Sequence, residues 1–149
     1  MTKSCAHVSG LVRPAATRLP ACSPAKHPSC AHQLRNPGSC DGAGIATQLG
    51  HTSNHGDIIL TGPDSSCPGG LANIHVDTLT AANGDSITIT AHDVACPIGP
   101  LQFRGSGTWV VTAGTGRFSD ATGAGVINGG ANFATQEFSF VMSGTIAVP

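Results

Sequence analysis

His75, Asp77, His92 and Asp93 are of the types that move protons or bind a divalent metal, and they flank one turn signal, Asn83-Gly84. Read as a two-residue type I′ turn, Asn83-Gly84 sets Ala82 opposite Asp85. His75 then falls opposite His92, Asp77 opposite Thr90 and diagonal to His92, and Ile74 opposite Asp93. Alternation sends Ile74, Val76, Ile87, Ile89 and Ala91 to a core face, and Asn73, His75, Asp77, Ser86, Thr88, Thr90 and His92 to the other. The cluster of His75, His92 and Asp77 is therefore expected on a solvated polar face. Asp93 shares the core parity, where a desolvated carboxylate has a raised pKa and acts as an acid or base. It is the candidate catalytic residue; the alternative is a strand end bending out to solvent near Pro97.

Other chemistry-bearing patterns are fewer. Cys96 should pair near Leu71, with Cys67 only a few residues before it, so a Cys67–Cys96 disulfide is within reach and implies an oxidising compartment. The rival is two free thiols. Cys22, His27, Cys30, His32 and Cys40 are dense enough to suggest zinc, but C-x4-H-x2-C-x-H-x7-C lacks regular paired ligands, so no metal is expected. Gly114-Thr115-Gly116 lacks the GK[ST] of a phosphate loop and serves a turn. No HExxH, GxSxG or credible carboxylate pair occurs, and no cofactor is expected.

The elements that position these residues read as strands. Short runs of alternating apolar and Thr/Ser residues are broken by Gly and Asn, with no helical period. Candidate strands run about 43–50, 55–61, 71–81, 86–95, 101–113, 123–132 and 137–147, with an eighth piece near His51. Parity places Phe103, Trp109 and Val111 inside on one strand and Phe138, Phe140, Met142 and Ile146 on another. Gly105 and Gly107 between Phe103 and Trp109 permit a sharp bend or leave room for a ligand. The chain of 149 residues suits one domain, with a core of Val, Ile, Leu and Ala because it has one Trp, five Phe and no Tyr.

Charge divides the chain. Residues 1–40 hold Lys3, Arg13, Arg18, Lys26 and Arg35 with no acid, whereas 41–149 hold eight acids against Arg104 and Arg117. The Pro- and Cys-rich first forty residues read as a basic, disordered extension and 41–149 as the β domain. No apolar run after Lys3 makes a recognisable signal peptide, and no stretch is long enough to span a bilayer. Scattered positive charges without interleaved aromatics, beside an acidic β domain, argue against a nucleic-acid partner.

Gly114-Thr115-Gly116-Arg117-Phe118, followed by Ala121-Thr122-Gly123, resembles the GTGxF…A.G signature shared by the allene oxide cyclase barrel and dirigent proteins, and is most similar to their uncharacterised, exported bacterial branch. Gly107-Thr108-Trp109, Gly144-Thr145-Ile146, Ala46 to Gly50 and Leu79 to Asp85 resemble it as well. The likeness covers about Gly42 to Val148. It implies a small closed antiparallel barrel of about eight strands, secretion or a cell-surface location, and a homodimer or homotrimer. In this signature Arg117 is expected to support the turn. Two readings of function follow. In the first, an exported barrel holds a small hydrophobic molecule against Phe103, Trp109, Phe138, Phe140 and Met142, and its interior lacks convergent polar groups. In the alternative, implied by the resemblance, a cyclase- or dirigent-like enzyme orients a reactive hydrophobic intermediate, a fatty-acid epoxide or a phenoxy radical in those families.

Overall fold

The computed structural model describes Ala6–Gly10 and residues 38–149, Gln136 apart. Cys22, His27, Cys30 and His32, and most of the segment read as a disordered extension, lie outside the described residues. Strands β1 (Ala6–Gly10), β2 (Gly38–Ala46), β3 (Gly50–Asp64), β4 (Gly70–Ala81), β5 (Ser86–Gly99), β6 (Gln102–Gly114), β7 (Thr122–Asn132) and β8 (Glu137–Ala147) form one sheet in the order β1-β8-β7-β6-β5-β4-β3-β2. Every neighbouring pair is antiparallel, so β2 to β8 make a continuous meander. Among the described residues there is no α-helix, only a 3₁₀ turn at Gly116–Phe118, and no helix is long and apolar enough to cross a membrane. The sheet is curled as a half-barrel. One core cluster joins Ala46 of β2, Leu79 of β4, Ile87 and Ile89 of β5, Trp109 of β6, Ile127 of β7 and Ile146 of β8.

Two strand boundaries depart from the sequence expectation. The segment read as strand 43–50 turns at Thr47-Gln48-Leu49, where the Leu49 amide donates to Ala46 O (3.1 Å) and Gly50 takes a positive φ of 72°. Leu49 folds inward and is buried, an apolar gain that a straight strand would forgo. His51, read as part of a separate strand, lies within β3, and the eighth strand is β1 instead.

The hairpin between β4 and β5 is the larger correction. Its loop is Ala82-Asn83-Gly84: Gly84 N donates to Ala81 O (2.9 Å) and Ala81 N to Asp85 O (2.8 Å). Only Gly84 has positive φ, 90°, whereas a type I′ turn needs it at Asn83 as well. Asn83 is held otherwise, because its Oδ1 accepts from Asp85 N (3.2 Å) and its Nδ2 donates to Asp85 Oδ2 (2.9 Å). The result is a three-residue loop with a glycine bulge. Thr80 pairs with Ser86, Asp77 with Ile89, His75 with Ala91 and Asn73 with Asp93, one residue from the expected register. A one-residue slip exchanges the faces of a strand. Asn73, His75, Asp77, Leu79 and Ala81 turn inward beside Ile87, Ile89 and Ala91, while Val76 is exposed.

The two ends of the sheet are built differently. At one end, the Gly114-Thr115-Gly116-Arg117-Phe118 segment folds back onto neighbouring turns. Phe118 is 1% exposed and the Arg117 guanidinium lies 4.8 Å over its ring. Arg117 Nη2 also donates to Gln48 O (2.6 Å), and its Nε stands 3.6 Å from Asp85 Oδ2. One side chain thus ties the β6–β7 connection to the β2–β3 and β4–β5 turns. Thr115 adds to the tie, since its amide donates to Ser86 O (2.8 Å) and its hydroxyl accepts from Ser86 N (2.9 Å). At the other end, Cys67 and Cys96 are joined in a disulfide, Cα atoms 6.0 Å apart, fastening the β3–β4 loop to β5.

Trp109 anchors the middle. Its neighbour across β7 is Gly125, itself paired with Gly144 of β8, and a Cβ on Gly144 would come within 2.7 Å of the indole Cζ2. The ring occupies the space those side chains vacate, with Nε1–H donating to Val126 O (3.1 Å) and 2% of its surface exposed. Trp109→Ala should destabilise the fold by about 3–5 kcal/mol, as expected for removal of a large buried aromatic. Urea unfolding of the wild type and the variant measures the difference.

Candidate functional site

The slip in register brings a polar row into the interior. Inward positions of β4 carry Asn73, His75 and Asp77; β5 adds Asp93, and β3 adds Thr52 and Asn54. Asp77 is 1% exposed, Asn54 and Thr52 are 5% each, and Asn73 is 9%. His75 and Asp77, expected on a solvated face, are therefore interior groups, and His92, expected to oppose His75, lies outside opposite Ile74. The turn geometry, not the composition of β4, causes the exchange. Asp93 keeps its inward parity, with its side chain 12% exposed.

Each interior acid sits beside a glycine. Gly56 pairs with Asp77, and a Cβ there would collide with Asp77 Oδ1. Gly107 pairs with Asp93, and a Cβ on neighbouring Gly105 would fall 2.5 Å from Asp93 Oδ2. Both carboxylates lean across the adjacent strand into space that only glycine leaves.

Hydrogen bonding inside the row is incomplete. Asn54 Nδ2 donates to Asp77 Oδ1 over a long 3.4 Å, and Asn73 Nδ2 to Leu71 O at 3.1 Å. His75 Nε2 stands 3.0 Å from Asp93 Oδ1, an ion pair when the imidazole is protonated. Thr52 Oγ1, Asn54 Oδ1 and Asp77 Oδ2 are buried with no hydrogen-bond partner. Folded proteins rarely leave such atoms unpaired, at about 1–3 kcal/mol each.

The electrostatics follow from burial. Desolvation raises the pKa of Asp77, and the nearby Asp57 and Asp93 charges add to it against the lowering effects of His75 and the Asn54 amide. Burial alone would lower His75, but the Asp93 carboxylate at Nε2 and the Asp77 charge outweigh it, leaving the imidazole raised. Cys40, paired with Gly56 on β2, is a free thiol pushed up to about 11 by burial and then by the Asp77, Asp41 and Asp57 charges, so it stays protonated. Among the described residues no group of three or more His, Cys, Asp or Glu side chains could hold a metal ion.

The aromatic residues divide. Trp109 and Met142 are buried in the core, while Phe103, Phe138 and Phe140 are only half-buried. Phe103 and Phe138 meet through Phe133, edge to face at 5.6 Å and 5.5 Å, at the disulfide end of the sheet. The interior is therefore apolar and filled around Trp109 and polar across β3, β4 and β5. An interior without convergent polar groups, expected of a simple hydrophobic carrier, is not what this chain has. Asn73, His75 and Asp77 were read from the sequence but assigned to the outer face, and Phe133 was not singled out; Thr52 and Asn54 escaped the sequence reading. Their signal was the alternation Thr52-Ser53-Asn54-His55-Gly56, in which neither parity is apolar enough to declare itself.

Comparison with protein-family models, with curated proteins and with solved structures finds no match for this chain.

Two predictions test the electrostatics. His75 should titrate above the ordinary histidine value by NMR, and Asp93→Asn should lower it. Because the folded state holds the His75 proton more tightly, its stabilising contribution is present below the ordinary value and fades as pH rises through the raised one. Asp77 has the opposite consequence: the folded state favours its neutral carboxyl, so stability falls as pH rises from the ordinary aspartate value through the raised one. Asp77→Asn should accordingly raise the melting temperature at pH 8, with the gain vanishing below the ordinary aspartate pKa.

Proposed function

We propose that the sheet closes into a barrel whose interior binds a small, largely hydrophobic molecule. The observation that carries the reading is the set of buried, unpartnered polar atoms on Thr52, Asn54 and Asp77. On the same inward side are the half-buried Phe103, Phe138 and Phe140. A bound molecule that supplies donors to these atoms offsets their desolvation, and its apolar body has aromatic surface to cover. Closure is supported by the core cluster, which runs from Ala46 of β2 to Ile146 of β8, with β1 added beyond β8. The Cys67–Cys96 bridge supports an exported protein, since disulfides persist in oxidising compartments. Exposed Val110, Val126 and Val141 on β6, β7 and β8 give self-association into a dimer or trimer an apolar outer surface.

A second reading, a cyclase- or dirigent-like enzyme, is favoured by one observation. The His75–Asp93 contact lies on the same inward side as the buried Asp77 carboxyl, and an imidazole beside two carboxyl groups suits proton transfer to a bound intermediate.

Native mass spectrometry of the full chain, produced in an exporting host and analysed before and after denaturation, tests the binding reading. A small molecule released on unfolding, or uptake of an apolar fluorophore by the folded chain, is expected. A protein that carries nothing and takes up no apolar probe contradicts it.

A further inference from the structure

Resting on the reading of the interior as a binding site, we infer that its ligand presents an ammonium head group with Asp77 as counter-ion, and that the site rejects the matching carboxylate. Three buried oxygens lack a partner: Asn54 Oδ1 and Asp77 Oδ2, which accept, and the Thr52 hydroxyl, which can accept or donate. The protein's own donors in the row are directed elsewhere, Asn54 Nδ2 to the other Asp77 oxygen, Asn73 Nδ2 to Leu71 O, and His75 Nε2 toward Asp93. Of the atoms left without a partner, two can only accept and the Thr52 hydroxyl alone can also donate. An ammonium brings three donors and no acceptor, whereas a carboxylate brings only acceptors.

Charge selects in the same direction. Asp77 and Asp93 face inward with one imidazole between them, and Asp57 stands nearby on β3. Of the described basic side chains, Arg104 is exposed, and Arg117 is engaged at the far end with Gln48 and Asp85. An anionic head would meet two carboxylates with only the His75 imidazole, itself held by Asp93, to offset them; a cationic head gains a charge-assisted bond. This is the reverse of the fatty-acid chemistry that the resemblance to allene oxide cyclases implies.

A pH dependence follows from the groups facing Asp77: His75 and Asp93 on β4 and β5, Asp57 and Asn54 on β3, and Cys40 on β2. As pH falls, Asp77 takes up a proton and His75 becomes cationic, and both changes oppose a bound cation. Affinity for the amine should drop with acidification.

Calorimetric titration of the full chain with octylamine, octanol and octanoate tests the inference, with Asp77→Asn alongside. The amine should bind at least about tenfold more tightly than the alcohol, with octanoate weakest. Asp77→Asn should abolish the preference for the amine over octanol. Octanoate binding as tightly as octylamine, or an amine preference that survives in Asp77→Asn, overturns the head-group inference alone. If none of the three binds and the apolar fluorophore is also refused, the binding reading falls with it.

Discussion

A strand with alternating side chains can turn only one of two faces inward, and in β4 that choice is made at a distance by the Ala82-Asn83-Gly84 loop. The loop pairs Thr80 with Ser86 and so directs Asn73, His75, Asp77, Leu79 and Ala81 to the interior. Every property of the candidate site depends on this register. The His75–Asp93 contact, the buried carboxyl of Asp77 and its seat over Gly56 exist because β4 pairs one residue away from the alternative. Asn83 enforces it locally by bonding to Asp85 through both its amide atoms, which holds its backbone out of the left-handed conformation that a two-residue turn would need.

A row of unpaired polar atoms inside a small domain is destabilising, and the remaining architecture offsets it. Trp109 fills the space above Gly125 and Gly144, and Ile87, Ile89, Leu79 and Phe118 are buried to within a few per cent. Arg117 fastens three connections together at the filled end, and the Cys67–Cys96 bridge fastens two elements at the opposite one. The polar site is held between these fixed points. Such an arrangement suits a binding site whose groups must stay oriented while lacking partners of their own.

The strands and their succession were legible from the sequence, since Gly- and Asn-rich breaks separate runs of period-2 alternation. Asp93 was placed inward by the alternation of Ile87, Ile89 and Ala91 on its own strand, a pattern that does not depend on pairing. Trp109 and Met142 were placed inward in the same way. The face of β4 was not legible, for two physical reasons. Asn-Gly serves both a type I′ turn and a type I turn with a glycine bulge, which differ by one residue in register. The strand itself is ambiguous, with Ile74 and Val76 on one parity and Leu79 and Ala81 on the other. Cys67 and Cys96 stay within reach in either case, because Leu71 falls opposite Ala95 or Cys96. The inward Thr52 and Asn54 lacked any apolar neighbour on their own parity to mark them.

The most direct test of this account is the β4–β5 register in solution, read from cross-strand backbone contacts by NMR. The account predicts that Asp77 pairs with Ile89 and Leu79 with Ile87. Pairing of Asp77 with Thr90 and of His75 with His92 would return both side chains to the outer face and contradict the interior site.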